Sequence, residues 1–86
     1  MAIFDVNNNN TEAFELKEHL VKNGINDVQF VFPNKVVVKN CNNITKLFNL
    51  VQSANNEMLE LFGVGSFVID ATLVNNEITI TETAYD

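Results

Sequence analysis

The chain has 86 residues, 47% of them hydrophobic, and eleven acidic residues against five basic ones give a formal charge of −6. That length holds one hydrophobic core rather than two, so a single α+β domain over residues 1–86 is expected. The negative field repels phosphate backbones and anionic bilayers, which argues against direct nucleic-acid or membrane binding and favours a protein partner with a basic surface.

Cys41 is the only cysteine, so neither an intrachain disulfide nor a thiolate zinc knuckle can form. The first residues, Met1 to Val6, carry no basic region and no long apolar stretch, so a secretory signal is not expected there. Both features point to the cytoplasm, or the host cytoplasm if the protein is viral.

In chain order, Ala2 to Val6 alternates weakly and suggests a short strand, followed by the loop Asn7-Asn8-Asn9-Asn10, whose asparagines stop a strand and supply a helix cap. From Thr11 to Asn23, Ala13, Phe14, Leu16, Leu20 and Val21 gather on one side at helical spacing. Glu12, Glu15, Glu18, His19 and Lys22 lie opposite, Lys17 points into the apolar arc, and Gly24 follows as the terminator. Such a lysine is expected to run its stem along the edge of the core.

Val28 to Phe32 and Val36 to Lys39 are runs of β-formers around Pro33-Asn34-Lys35. A three-residue loop, with Phe32 opposite Val36 and Phe30 opposite Val38, makes one face of this hairpin wholly apolar. A second helix is expected from Ile44 to Phe62, capped by Asn42 or Asn43 and closed near Gly63 or Gly65. Its apolar half holds Ile44, Leu47, Phe48, Leu50, Val51, Ala54, Met58, Leu59, Leu61 and Phe62, with Asn55 the one polar residue on that side. A buried asparagine must find partners, and a sheet or loop backbone is the expected one.

The last element is a hairpin from Phe67 to Tyr85 around Asn75-Asn76, where a type I′ turn pairs Leu73 with Ile78 and Ala71 with Ile80. Its reverse face carries valine, threonine and acid, Asp70 and Glu77 among them. The economical fold is a two-layer sandwich in the order (β)αββαββ, an antiparallel sheet of four or five strands with both helices on one face. In it Phe48, Val51, Leu59 and Phe62 of the second helix cover Phe30, Phe32, Ile69 and Ile80.

Chemistry is scarce. His19, the only histidine, reads as a solvated side chain four residues after Glu15, and Cys41 has Lys39 as the only histidine or basic residue adjoining it. No nucleophile-and-base set, calcium loop or phosphate cradle is present, since Gly63-Val64-Gly65-Ser66 follows a helix and precedes a strand, the reverse of the order a phosphate loop needs. No catalytic residue, cofactor site or metal site is therefore expected, and the chain reads as a non-enzyme.

The functional expectation is a small acidic protein-binding module, an inhibitor that covers a basic functional surface of its partner. Phage-encoded antagonists of host defence and immunity proteins of nuclease toxins share its size and acidity, which is analogy. Glu57, Glu60, Asp70, Glu77 and Tyr85 are the candidate partner-binding residues, with Glu12, Glu15 and Glu18 as further acids. The alternative is a structural or assembly subunit, a small virion or coat component that associates through its sheet face or edge strand, with a homodimer as the simplest case.

Overall fold

A computed structural model of the chain describes residues 3–4, 11–63, 66–72 and 76–83. The elements run α1 (Glu12–Lys22), β1 (Val28–Val31), β2 (Lys35–Lys39), α2 (Ile44–Phe62), β3 (Ser66–Thr72) and β4 (Glu77–Thr83). All strand pairs are antiparallel, in the order β1-β2-β4-β3. The molecule is thus an α+β fold of two helices and a four-stranded sheet. Of the strand expected over Ala2 to Val6, only Ile3 and Phe4 lie within the described residues, and neither is in a strand.

Both helices begin and end on local chemistry. The Thr11 hydroxyl accepts from the Phe14 N–H at 3.2 Å, taking the capping role expected of the asparagine run, which lies outside the described residues. Gly24, at φ 93°, lets the chain turn so that the Ile25 N–H reaches the Leu20 carbonyl at 3.0 Å. For α2, the Asn43 side chain accepts from the Lys46 N–H at 3.0 Å and Gly63 closes the helix in the left-handed conformation.

One core joins Ala13, Leu16 and Leu20 of α1 to Leu47, Val51, Ala54 and Met58 of α2, over Val36, Val38, Ile78, Ile80 and Phe67 of the sheet. Val28, Phe30 and Ile69 pack against it. Lys17, as expected of a lysine in the apolar arc, lays its ammonium over the Phe14 ring, 5.5 Å from the centroid, and Phe14 meets Phe30 edge-on.

Both hairpins depart from the expected register by two residues. In the first, Phe30 pairs with Val36 and Val31 with Lys35, so the three-residue loop is Phe32-Pro33-Asn34 and Phe32 stands 76% exposed at the tip. In the second, Ala71 pairs with Ile78 and Ile69 with Ile80, which leaves four residues between the strand ends at Thr72 and Glu77. Leu73 lies outside the described residues. The reason is the same in both: side chains alternate with period two, so a slip of two leaves the apolar face intact and the pattern cannot detect it.

The second helix also departs from expectation. Phe48, Leu59 and Phe62 are 45%, 63% and 38% exposed, and Ile44 and Leu61 are exposed as well. The residues that reach the core, Leu47, Val51, Ala54 and Met58, form a single narrow stripe, because among the described helices and strands α2 rests on β3 and α1 only, and these two neighbours cover less than its apolar half. The expected contact set therefore survives only in Val51 and Ile80, with Phe30 and Ile69 at its margin.

Asn55 meets expectation by binding strand backbone. Its Oδ1 accepts from the Phe67 N–H at 2.6 Å and its Nδ2 donates to the Phe67 carbonyl at 3.2 Å. One side chain thereby satisfies both backbone groups of a residue on an edge strand, as a neighbouring strand would. We predict that Asn55→Ala costs about 1–3 kcal/mol in urea unfolding because a half-buried N–H and C=O lose their partners together. Phe48→Ala should change stability by less than about 1 kcal/mol, since the ring is half in water.

Candidate functional site

The five candidate partner-binding residues do not form one patch. Glu57 is half-buried and occupied, its Oε2 accepting from the backbone N–H groups of Ile3 and Phe4 at 2.6 and 2.8 Å, while Phe4 stacks on Phe67 with ring centroids 6.0 Å apart. It ties the N-terminal segment to α2 and is not a free surface acid. Glu60 is exposed on the same helix. Asp70 and Glu77 lie on the outward sheet face, where Lys35 and Lys39 of β2 share it, and Glu77 sits 3.6 Å from Lys39. That face is electrically mixed rather than acidic. Tyr85 lies outside the described residues.

What gathers instead is an apolar strip along α2. Ile44, Phe48, Leu59 and Phe62 fall on the flank that also carries Asn55, the residue gripping β3. Ile44 and Ala71 line one open cleft of about 270 Å³ with Cys41 and Ile78, so the start of α2 lies beside the end of β3. The helical pattern identified these residues as apolar but gave no sign that they stay in water.

A second feature lies beneath α1. On β4 the buried positions alternate Ile78, Ile80, Glu82, so Glu82 points into the fold at 5% exposure. Its backbone is fixed by Asn34, whose carbonyl accepts from the Glu82 N–H at 2.8 Å. Its carboxyl stands at the N-terminus of α1, against the Ala13 N–H and the Glu12 side chain. Burial, then the hydrogen bond and the charge of Glu12, push the Glu82 pKa up to about 7, and the Ala13 N–H opposes them. The parity of Glu82 with Ile78 and Ile80 was the signal that could have found it. Glu15, expected on the wet side of α1, is buried too.

His19 corrects the expectation of a solvated side chain. Its Nε2 is closed off from water without a well-formed hydrogen bond, while Nδ1 lies 3.3 Å from the Asn23 amide. Burial holds its pKa below the usual value, with Lys22 acting in the same sense and Glu57 and the Leu50 backbone opposing. Cys41 is a half-buried free thiol. Among the described residues no group of three His, Cys, Asp or Glu side chains is placed to hold a metal ion, and no helix is long and apolar enough to cross a membrane.

No protein-family model, curated protein or solved structure matches this chain. Its function must be read from its own surface.

Glu82 generates a pH prediction. Its folded pKa is raised above the ordinary carboxylate value, so between roughly pH 4.5 and 7 the folded state binds the extra proton and stability falls as pH rises. His19, whose pKa is lowered on folding, acts in the opposite sense as pH falls through its unfolded value near 6.5. Comparing Glu82→Gln with the unsubstituted chain cancels the histidine. The variant should match the parent near pH 4 and exceed its stability at pH 8 by on the order of 1–2 kcal/mol after allowance for solvent screening. Thermal unfolding across that range measures it.

Proposed function

We propose that the chain is an acidic protein-binding module without catalytic activity of its own, acting as an inhibitor that covers a basic functional surface of a partner in the cytoplasm. The observation that carries this reading is the exposure of Ile44, Phe48, Leu59 and Phe62 along one flank of α2 in a molecule of net charge −6. Large apolar side chains grouped on a surface supply the desolvated anchor of a protein contact, and net charge of one sign steers the encounter toward the opposite sign. In this reading both helices form one layer over the sheet, so the outward face with Val31 and Val68 stays open as a secondary contact. Of the four candidate acids, Glu60 and Asp70 remain free to steer, since Glu57 and Glu77 already have partners.

Affinity capture from the native cell at low and high salt, followed by rate measurements on the recovered partner, tests this reading. The association rate should fall as the Debye length shrinks from about 10 Å to 3 Å. Glu60→Lys should slow association and leave dissociation nearly unchanged, whereas Phe48→Ala should speed dissociation about tenfold or more, equivalent to about 1.4 kcal/mol. An association rate indifferent to salt, or recovery of nucleic acid in place of protein, overturns the proposal. A mass in solution that rises past a dimer with concentration favours the assembly subunit.

A further inference from the structure

The sheet has two edges, β1 and β3, and they differ. On β3, the Phe67 N–H and C=O point away from β4 to Asn55, whereas the Ser66 N–H turns to the Thr83 side chain. By the alternation of an antiparallel ladder, the backbone groups of Ile69 and Ala71 point outward as those of Phe67 do. Among the described residues nothing in the backbone pairs with them. The strand carries no lysine, proline or bulge of the kind that blunts an edge, and only the Phe67 position is filled.

The edge also has a flank. Residues 44, 48, 51 and 55 of α2 follow one another on a single row, which ends where Asn55 grips Phe67. Val51 is buried, while Phe48 and Ile44 stay half in water, and Ile44 shares a cleft with Ala71. A strand laid beside Ile69 and Ala71 would place every second side chain against Ile44 and Phe48. The intervening side chains would fall on the outward face beside Asp70, at roughly 4.5–5.5 Å between Cβ atoms for a directly opposed pair.

We propose that this edge of β3 is the docking site for an extended segment of the partner that alternates apolar with basic residues and adds as a fifth strand. The proposal rests on the acidic-module reading above and gives it a place and a sequence pattern. The charge comes from the distribution of cations. Four of the five lysines lie on α1 and β2, and the fifth, Lys46 on α2, turns its ammonium toward Gly24, 3.1 Å from where a Cβ there would stand. Lys35 and Lys39 share the face of Asp70 but stand two strands away and two residues out of line with it, and Lys39 is engaged by Glu77. Among the described residues no lysine therefore forms an ion pair with Asp70, and a basic side chain directly opposite it would. The β1 edge lacks this fit, because Lys17 lies over the Phe14 ring that abuts Phe30. A second copy is the poorer occupant, since it too carries −6 and its own β3 brings only another Asp70.

The test uses the full chain, labelled with nitrogen-15, and two synthetic seven-residue peptides, one alternating lysine with valine and one with glutamate in place of lysine. Expected are amide shifts centred on Ile69 and Ala71, with the lysine peptide binding at least tenfold tighter than its twin. Ala71→Pro removes one outward N–H at an edge position that tolerates proline, and should weaken the lysine peptide at least tenfold. Phe48→Ser, at an exposed position, should do the same and guards against a folding defect in the proline variant. If the lysine peptide binds but shifts amides elsewhere and is indifferent to both substitutions, the site is wrong while the acidic-module reading stands. If both peptides bind β3 equally, the charge preference fails here and counts against that reading too. If the Ile69 and Ala71 shifts depend on protein concentration without peptide, a second copy occupies the edge and the proposal is overturned. Failure of the lysine peptide to bind also overturns it, and leaves the capture experiment as the independent test of the wider reading.

Discussion

The contact between the Asn55 side chain and the Phe67 backbone is the constraint on which the arrangement of this molecule turns. β4 has a strand on each side and β2 likewise, so the centre of the sheet is held by ladders. β3 has a ladder on one side only, and α2 meets the sheet chiefly at β3. A carboxamide that both accepts and donates joins the two elements, fixing the helix in rotation and in position along the strand. Apolar packing of Leu47, Val51, Ala54 and Met58 adds to this, and the directional hydrogen bonds specify the rotation more sharply than non-directional contacts do. The stacking of Phe4 on Phe67, with Glu57 accepting from the N-terminal backbone, closes the opposite side of the same junction.

Fixing α2 in that rotation has a consequence for its surface. With Asn55 turned toward β3, the residues on the same flank overhang the edge of the sheet rather than its face, and Ile44, Phe48, Leu59 and Phe62 remain in water. The same bond that stabilises the fold therefore keeps apolar surface available. In the proposed reading this apolar surface is what anchors the partner, since side chains buried at home would be unavailable to it.

Glu82 makes a comparable trade inside the molecule. A buried carboxyl at a helix N-terminus accepts an N–H that would otherwise lack a partner, and the positive end of the helix favours its charge. Burial and the neighbouring Glu12 act against that charge and win, so the group takes up a proton near neutrality. Together with the occluded imidazole of His19, it places two titratable groups of opposite sense around α1. The stability of α1 on the sheet is therefore tied to pH from both sides.

The sequence by itself determined the two helices and two hairpins, the C-terminal end of each helix and the start of α2, and which face of each strand is apolar, but not the strand expected over Ala2 to Val6, where Ile3 and Phe4 lie outside any strand. These follow from local chemistry and from periodicities of 3.6 and 2: Asn43 and Gly63 bound α2, and Phe30, Val36, Val38, Ile69, Ile78 and Ile80 share a side whatever the register. Asn55 was legible as a residue in need of a backbone partner, whereas the parity of Glu82 with two isoleucines was a signal present in the sequence but not read there. Only the tertiary structure decided the registers, because a shift of two residues preserves every side-chain direction and is settled by how β4 locks onto β2 and β3 at once. It alone decided which of the apolar residues of α2 would be covered, since a helix pattern records how much surface is apolar and not how much its neighbours can reach. The candidate acids were dispersed for the same reason: Glu57 went to the N-terminal backbone and Glu77 to Lys39, through contacts across 53 and 38 positions of sequence that no local pattern encodes.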